Sequence, residues 1–344
     1  MTRTKFVEKL LSIIVPAYNS EAYLERCVNS LIVAGNRVEI ILVDDGSLDR
    51  TPEIIDEYHE RFPEIVKVIH EENSGHGGAI NNGLKIATGK YIKVCDSDDW
   101  LDFAGLKRLL DFIEVQNEND TELDMILTNY LYDKVNSRHN KLIHFPALPK
   151  NKIFGWKQVK LVLGQYFMMH SVTYRRTLLV DEAKLQLPTN VSYDDNIYVF
   201  EPLIYVKKMY YLDVNLYHYF IGRDDQSVNE DVMLRKIDQQ LMINKRMIKF
   251  YADNIDPKTA LGKYMCFYLE IITAISSIIL IRGKKEQYLD LKRNLWQYLK
   301  RKDEPLYHKL KHRPLGMTVN LPGHSGRIVA SGFYRLAKAI YGFN

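Results

Sequence analysis

The sequence predicts an α/β fold in which a largely parallel sheet carries helices on both of its faces. Between residues 11 and 99, apolar strand-like runs alternate with helical patterns in units of about thirty residues, which is typical of strand–helix–strand connections. Three of the runs end in the polar motifs PAYN, VDDGS and CDSDD. Because ligands bind beyond the carboxyl ends of strands in such sheets, the three motifs are expected to meet at one edge.

Each element of this pattern carries a local signal. The four strands are Ile- and Val-rich runs at residues 11–18, 38–47, 65–72 and 90–99. The helices between them have apolar residues at helical spacing and lie at residues 20–35, 51–62 and 77–89. Ser20 and Thr51 are the expected N-caps of the first two helices, and Gly35 and Gly89 are expected to end the first and the third.

The pattern changes beyond residue 104. Strands are expected at 123–133 and 207–220, and a helix with acidic residues in its first turn is expected at 193–206. Residues 231–344 have helical patterns. The fold class is therefore α/β, with a mixed sheet flanked by helices and a helical C-terminal extension.

The composition is that of an ordinary globular protein, with 344 residues of which 46% are apolar and 26% are charged. The N-terminus does not have the shape of a signal peptide. Three widely separated cysteines, Cys27, Cys95 and Cys266, indicate a reducing compartment and no disulfide framework. No Cys and His spacing matches a zinc site, so structural zinc is not expected.

The net charge of +4 conceals an asymmetry along the chain. Residues 1–230 contain 26 Lys and Arg against 34 Asp and Glu, whereas residues 231–344 contain 21 against 9. Basic segments of this size bind anionic lipid, phosphorylated substrates or nucleic acid in many proteins, and in others they are solvated helical faces. The sequence leaves these alternatives open.

Two apolar segments lie in this basic region. Residues 264–281 approach the length of a transmembrane helix, but Glu270 interrupts them, and an ionised carboxylate near the centre of a bilayer is costly. We therefore expect a helix buried in protein. Residues 325–343 place several apolar side chains near one face, beside Arg327 and Arg335. They either lie in a membrane interface or dock as a C-terminal helix.

The motif VCDSDDWLD places Asp96, Asp98, Asp99 and Asp102 within seven residues at the end of a strand. Core packing cannot account for these acids, because buried unpaired carboxylates are costly. The cluster is therefore either a solvated acidic turn or a cation site. Proteins hold Mg²⁺ and Mn²⁺ with one or two carboxylates together with substrate phosphates and water, which suits this motif.

Four blocks of the sequence together resemble the family 2 glycosyltransferases of the GT-A fold. They are SIIVPAYNSEAYLERCVNSL, EIILVDDGSLDRT, HEENSGHGGAINNGLKIATGKYIKVCDSDDW and SYDDNIYVFEPL, in the order and at about the spacing of that family. The resemblance covers roughly residues 10–230 and is only general for 231–344. It implies a GT-A domain over 1–230, with a nucleotide-binding half at 1–104 and an acceptor half at 105–230, and a basic helical region over 231–344.

The resemblance also implies roles for residues around the donor nucleotide. Pro16, Ala17 and Tyr18 would line the nucleoside pocket. Asp45 would bind the edge of the base, which is typically uracil, and Asp96 would contact the ribose or nucleotide side.

Four further residues are implied on the nucleotide side. Ser97 follows Asp96, and Asn73 and Asn81 are polar candidates near the glycine-rich turn. Arg223 lies where relatives have a loop that closes over the diphosphate, and its forked donors suit a phosphate.

Asp98 is the implied ligand of a divalent metal, Mn²⁺ or Mg²⁺, that bridges the diphosphate. The implied catalytic base is Asp195, and Asp194 stands where the family has Glu. Asp195 would remove a proton from an acceptor hydroxyl, which attacks the anomeric carbon on the face opposite the leaving group. One such displacement inverts the anomeric configuration. A helix N-terminus favours the charged form of this base.

Other positions are expected to have secondary roles or to depart from the family. Many relatives have Arg where this chain has Ile80, so either a phosphate or nucleotide contact is missing here or His76 or Lys85 replaces it. Asp99 is expected to cap backbone groups, and Asp102 is expected to begin the next helix.

The sequence thus predicts an inverting, metal-dependent glycosyltransferase. The expected donor is a nucleotide sugar of the UDP type, and the expected acceptor is a hydroxyl of a glycan or lipid-linked glycan, as in cell-surface polysaccharide synthesis. We expect a cytoplasmic protein that contacts the inner face of an anionic membrane through residues 231–344, without a nucleic-acid partner. The oligomeric state stays open.

Two alternatives remain at this stage. A nucleotidyltransferase that makes the sugar nucleotide would have a similar pattern of strands and helices. The N-terminal Gly-rich loop with Arg or Lys that is typical of that class is not present in VPAYNSEAY. A non-catalytic glycan- or membrane-binding module on a GT-A scaffold would explain the departures at Ile80 and Asp194.

Overall fold

The computed structural model describes residues 9–134, 140–162, 164–222 and 229–341, except for the side chains of 337–341. The chain forms two units, which divide between Phe220 and Ile221. The first unit contains the sheet, and the second is helical.

A mixed sheet organises the first unit. Its strands are β1 Leu11–Ala17, β2 Val38–Asp44, β3 Val66–His70, β4 Tyr91–Val94, β5 Trp100–Leu101, β6 Met125–Lys134, β7 Lys141–Ile143, β8 Ile153–Phe154, β9 Val172–Arg175 and β10 Met209–Ile221. The main path runs β3-β2-β1-β4-β9-β6-β10-β5. Strands β1 to β4 are parallel neighbours, whereas β9 is antiparallel to both β4 and β6. The predicted mixed α/β fold is confirmed, with parallel pairing among β1 to β4 and antiparallel pairing of β9 with β4 and β6.

Helices flank this sheet and build the second unit. The helices of the first unit are α1 Leu24–Ile32, α2 Thr51–Arg61, α3 His76–Ile86, α4 Phe103–Glu118 and α5 Asp195–Phe200. Those of the second unit are α6 Glu230–Arg235, α7 Ile237–Asn254, α8 Ala260–Arg282, α9 Glu286–Lys302, α10 Glu304–Lys311, α11 Pro314–Val319 and α12 Gly323–Tyr341.

The strands β1 and β2 form the centre of the nucleotide-binding half. Every residue of both strands is buried, as expected for parallel strands covered on both faces. Pro16 is tolerated in β1 because the pairing of β1 with β4 ends at Ile14, before the position of the missing N–H.

Two predicted helix caps are wrong. The chain from Ser20 forms a turn in which the N–H groups of Tyr23 and Leu24 both donate to the Ser20 carbonyl, so α1 begins at Leu24. Thr51 is the first residue of α2 rather than its cap, and its N–H donates to the Asp49 carboxylate at 3.0 Å. The Asp102 prediction is confirmed, because its carboxylate caps α4 by accepting the Gly105 N–H at 2.7 Å.

A buried carboxylate stabilises the base of the sheet. Glu39 in β2 is 1% exposed, pairs with Lys67, and accepts hydrogen bonds from Ser12, Thr88 and the Gly89 N–H. Burial alone would raise the pKa of Glu39, but the Lys67 ammonium and these donors outweigh it and lower the pKa to about 2.

Replacing Glu39 with Gln should therefore lower the free energy of unfolding by about 2 to 3 kcal/mol at neutral pH. Because the folded pKa is depressed, this contribution is present above the unfolded value of 4.5 and is lost as the pH falls toward about 2. Urea unfolding of both proteins from pH 7 to pH 3 measures the difference. The exposed Glu60→Gln variant is the control, and a difference that persists unchanged at pH 3 would contradict the prediction.

Helix α8 lies in the interior of the second unit. It is long and apolar enough to cross a membrane by length and composition, and 89% of its apolar window is buried within the protein. Its polar side chains have partners on neighbouring helices: Glu270 pairs with Arg313, and Ser277 accepts the Trp296 indole N–H at 3.0 Å. The structure therefore places this helix where the sequence argument expected it, packed in protein.

Candidate active site

The loops that follow β1, β2 and β4 meet at one edge of the sheet. The Asp45 N–H donates to the Ala17 carbonyl at 2.9 Å, which joins the VDDGS and PAYN motifs. The hydroxyls of Ser20 and Ser97 are 2.7 Å apart, which joins the first loop to the CDSDD loop. The three motifs therefore lie together at one edge of the sheet, as the sequence predicted.

The PAYN motif leaves the sheet with one aromatic side chain in the open. Pro16 and Ala17 are buried at the end of β1, whereas Tyr18 is 50% exposed. An aromatic face at the carboxyl end of a central strand can stack on a base or sugar. The predicted nucleoside-pocket role of these three residues stays a prediction.

Asp45 organises the loop that crosses this edge. Its buried carboxylate accepts the N–H groups of Ser74 at 2.6 Å and Gly75 at 2.9 Å. The Asn73 side-chain amide donates to the Asp45 carbonyl at 2.9 Å. Asp45 and Asn73, both predicted to contact the nucleotide, therefore hold the 73–75 turn in place. The predicted contact of Asp45 with a base edge stays a prediction.

Gly75 is required at this turn by its conformation and its surroundings. Its φ is +77°, and an added Cβ would lie 2.9 Å from the Asn190 backbone nitrogen. The close approach allows the Asn190 N–H to donate to the Ser74 carbonyl at 2.7 Å. It also places His76, the first residue of α3, beside the 190s segment.

His76 links two of the acidic motifs. Its Nδ1 lies 2.9 Å from the Asp194 carboxylate, and its Nε2 lies 3.0 Å from the Asp96 carboxylate. Burial lowers the pKa of His76, but the two carboxylates outweigh it and hold the pKa well above its usual value. The two carboxylates therefore favour the cationic form of His76, which lies between the motifs. Sequence reasoning considered it only as a substitute for a missing Arg.

Asp195 begins helix α5 beside this linkage. Asp194 immediately before it is 2% exposed, and the Asn196 amide donates to the Asp195 carboxylate at 3.2 Å. Burial and the charge of Asp194 raise the pKa of Asp195 to about 7, with Asp96 adding to the rise and His76 opposing it. A carboxylate that titrates near neutrality is suited to accept a proton from a hydroxyl.

Asp99 serves the fold of the CDSDD loop. It is fully buried and accepts the Tyr217 hydroxyl at 2.6 Å and the Phe220 N–H at 2.8 Å, one on each oxygen. The predicted capping role is confirmed by the bond to Phe220. Burial and the neighbouring charges of Asp98 and Asp96 raise the pKa of Asp99 well above its usual value.

A group of side chains around this loop could hold a metal ion. Ligand atoms of Asp96, Asp99 and His170 all lie within 4.8 Å of one another. Burial lowers the pKa of His170 to about 4, so its imidazole is neutral, as a metal ligand must be. Its Nδ1 is buried, and no partner for it exists among the described residues. Within those residues the group does not include Asp98, the predicted ligand.

The donor set fits a divalent cation in part. Asp96 and the neutral imidazole of His170 are suitable ligands for Mn²⁺. Asp99 is less suitable because both of its oxygens already accept hydrogen bonds from protein. His170 is a lone histidine in the stretch MMHS, and no sequence signal marked it as part of the site.

Two predicted residues have other tasks, and a third is not among the described residues. Asn81 donates to the Leu187 carbonyl and accepts the Leu187 N–H, both at 2.9 Å, so its amide fastens α3 to the segment before α5. Ser97 is buried against Ser20. Arg223 lies outside the described residues.

The edge of the sheet thus defines a class of protein, a GT-A enzyme scaffold with an acidic centre at the strand ends. The solved structure of S. aureus TarS 1-349 in complex with UDP-GlcNAc shares this fold, with a TM-score of 0.64 and 22% identity. The match covers 95% of this chain and 92% of that one.

The sequence places the chain in a particular family. The family model described as glycosyl transferase family 2 matches residues 12–179. Residues 12–179 of the chain belong to glycosyl transferase family 2.

Two curated relatives from Bacillus subtilis show the range of the match. The chain is 28% identical over 228 residues to the putative glycosyltransferase EpsH, which covers 61% of this chain and 60% of EpsH. It is 25% identical over 325 residues to the minor teichoic acid biosynthesis protein GgaA, which covers 87% of this chain and 70% of GgaA. The chain therefore spans less than two thirds of the length of EpsH.

Proposed function

We propose that this protein transfers a sugar from a nucleotide donor, a UDP-sugar, to a hydroxyl group of a glycan acceptor with inversion at the anomeric carbon. The observation that carries the proposal is Asp195, a carboxylate with a pKa of about 7 that interacts with the CDSDD loop through His76 and Asp96. A general base and a diphosphate-binding loop at one sheet edge are what such a displacement needs.

The donor side of the proposal is supported by the strand-end loops. Tyr18 has an exposed ring at the end of β1. The Asp45 carboxylate fixes the 73–75 turn by accepting two of its backbone N–H groups. TarS, which shares the fold, was solved with UDP-GlcNAc. We accordingly assign the nucleoside to the edge formed by β1 and β2.

The acceptor side of the proposal centres on Asp195. The carboxylate takes the proton of the acceptor hydroxyl as the hydroxyl oxygen forms its bond to the anomeric carbon. The bond from that carbon to the diphosphate oxygen breaks, and the nucleoside diphosphate leaves with the bonding pair. His76 contacts Asp194, the residue before Asp195, and also Asp96, and so connects the start of α5 to the CDSDD loop.

A divalent ion, Mn²⁺ or Mg²⁺, completes the proposal. We assign it to Asp98, which the family resemblance implies, together with Asp96 and His170, which the geometry brings together. When bound, such an ion neutralises charge that develops on the diphosphate.

For the acceptor we propose a cell-surface polymer or its lipid-linked precursor, assembled on the cytoplasmic face of the membrane. The similarity to GgaA, named for teichoic acid biosynthesis, supports a surface polymer. The GT-A domain over 1–230 and the basic helical region over 231–344 are the corresponding functional parts.

The test is a screen of donor sugars. The purified protein is incubated with Mn²⁺ and each of UDP-glucose, UDP-galactose, UDP-GlcNAc and UDP-GalNAc, and released UDP is measured with and without a teichoic acid or glycan preparation. Release from one donor, stimulated by acceptor, is the expected result. Calorimetric titration with UDP accompanies the screen. Absence of UDP binding would overturn the proposal, and binding without any turnover would favour the non-catalytic module.

The pH dependence of transfer should report Asp195. Because the base must be ionised, kcat/KM should rise with pH through a pKa of about 7 and level off above it. Removing the negative neighbour in Asp194→Asn should move this limb to lower pH, since the charge of Asp194 raises the pKa of Asp195. A pH profile of both proteins checks this, and a limb that moves upward in the variant would contradict the assignment.

A further inference from the structure

Helix α12 has two faces of different character. The face with Gly326 and Ala330 is buried, and α12 packs through it against α8 and α11. The adjoining side carries large apolar side chains that are 45% to 59% exposed, namely Ile328, Val329, Phe333 and Leu336. Successive residues turn by about 100°, so these four positions share an arc of about 140° of the helix.

The exposed apolar surface continues into the preceding segment. Leu315 and Met317 in α11 are 41% and 55% exposed, and Leu321 in the connection to α12 is 39% exposed. Single exposed apolar residues are normal on a protein surface, but seven of them within residues 315–336, where α11 and α12 contact each other, indicate a binding surface. We call the four α12 residues and these three the C-terminal apolar surface.

The charge of the same segment is of one sign. Residues 305–344 contain six Lys and Arg and no Asp or Glu. Arg335 lies about 20° outside the apolar arc on α12, and Arg327 lies about 80° further round the helix on the same side. An exposed apolar stripe with a basic border is typical of helices that lie in the interface of a membrane.

We infer that the C-terminal apolar surface docks on an anionic lipid bilayer, with the apolar side chains of α12 among the headgroups and Arg327 and Arg335 at the lipid phosphates. The charge selects this partner. A second copy of the chain would bring two acid-free basic segments together, and like charges repel. An anionic bilayer is complementary in charge and accepts the apolar stripe at the same time.

This inference does not depend on the proposed transfer reaction. It also leaves α8 in the protein interior, so the contact with lipid is peripheral. Apolar burial and attraction to anionic headgroups are two separate contributions, and stable attachment of a protein without a spanning helix needs both.

The experiment is sedimentation of the full chain with vesicles of phosphatidylcholine and phosphatidylglycerol at a ratio of 7:3, and with vesicles of phosphatidylcholine alone. The wild type should partition to the mixed vesicles and be released as salt is raised from about 0.1 M to about 0.5 M. The double variant Phe333→Ser and Leu336→Ser should lower partitioning by about tenfold or more. The double variant Arg327→Gln and Arg335→Gln should lower it by a similar factor on mixed vesicles only.

A matched control uses apolar residues of equal exposure elsewhere. Phe103 and Val115 on α4 are 58% and 49% exposed, and Phe103→Ser with Val115→Ser should bind vesicles like the wild type. Circular dichroism melts verify that each variant is folded. A Phe333→Trp variant adds a local readout, since its fluorescence should shift to shorter wavelength with mixed vesicles.

Two outcomes would overturn the inference. One is equal vesicle binding by the wild type and the Phe333 and Leu336 double variant. The other is an absence of vesicle binding together with a dimer, seen by sedimentation velocity, that the same double variant dissolves. That second outcome would assign the surface to a second copy of the chain.

Discussion

Asp195→Asn should lower the rate of sugar transfer by about a hundredfold to ten-thousandfold, the range that a positioned general base contributes. The amide cannot accept the proton of the acceptor hydroxyl at neutral pH. The residue lies at the start of α5, where its carboxylate accepts a hydrogen bond from the Asn196 side-chain amide at 3.2 Å. Asn can keep that contact, so binding of UDP should be nearly unchanged. Initial rates and calorimetric titration of UDP measure the two quantities separately.

Two comparisons make this result specific. Asp181→Asn removes an exposed acid from another part of the first unit and should leave the rate unchanged. Asp194→Asn removes the partner of His76 and should have a smaller effect than Asp195→Asn, because Asp194 acts through its neighbours. If Asp195→Asn retained more than about a tenth of the wild-type rate, Asp195 would not be the base.

Asp98→Asn should weaken Mn²⁺ binding to the complex with UDP by about tenfold or more. A carboxylate supplies both charge and an oxygen ligand, and the amide supplies no charge. His170→Gln should act in the same direction, because His170 lies 4.0 Å from the Asp96 carboxylate in the group that could hold the ion. Electron paramagnetic resonance of free Mn²⁺, titrated with each protein and UDP, gives the affinities.

Asp99→Asn provides the contrast within the same loop. Both oxygens of Asp99 accept hydrogen bonds, from Tyr217 and from the Phe220 N–H, so this variant should lower thermal stability and leave the affinity for Mn²⁺ unchanged. If Asp99→Asn lost Mn²⁺ affinity and Asp98→Asn did not, Asp98 would not be a ligand. The ion would then be assigned to Asp96, Asp99 and His170.

Much of the first unit could be predicted from local pattern. The fully buried strands β1 and β2 and the polar motifs at their ends follow from apolar runs bounded by turn residues. The start of α1 could not be predicted in this way. The Ser20 hydroxyl, expected to cap the helix, lies 2.7 Å from the hydroxyl of Ser97. Ser97 is 77 residues away, so the local sequence pattern does not indicate this contact.

The site shows the same division at the level of single residues. Asn81 looks like a polar donor contact in sequence, but its amide is occupied by both backbone groups of Leu187, 106 residues away. His170 has no motif around it, yet the sheet order places β9, which begins two residues after His170, beside β4, the strand that leads into the CDSDD loop. Such roles depend on which strands become neighbours.

The sequence by itself determined where the acids stand: at the carboxyl ends of strands and at the start of α5, because periodicity and turn residues set those positions locally. Only the tertiary structure decided what each acid does. His76 joins Asp194, 118 residues distant, to Asp96, and burial beside Asp194 brings the pKa of Asp195 to about 7. A pKa depends on burial and on neighbouring charges, and both are properties of the folded chain.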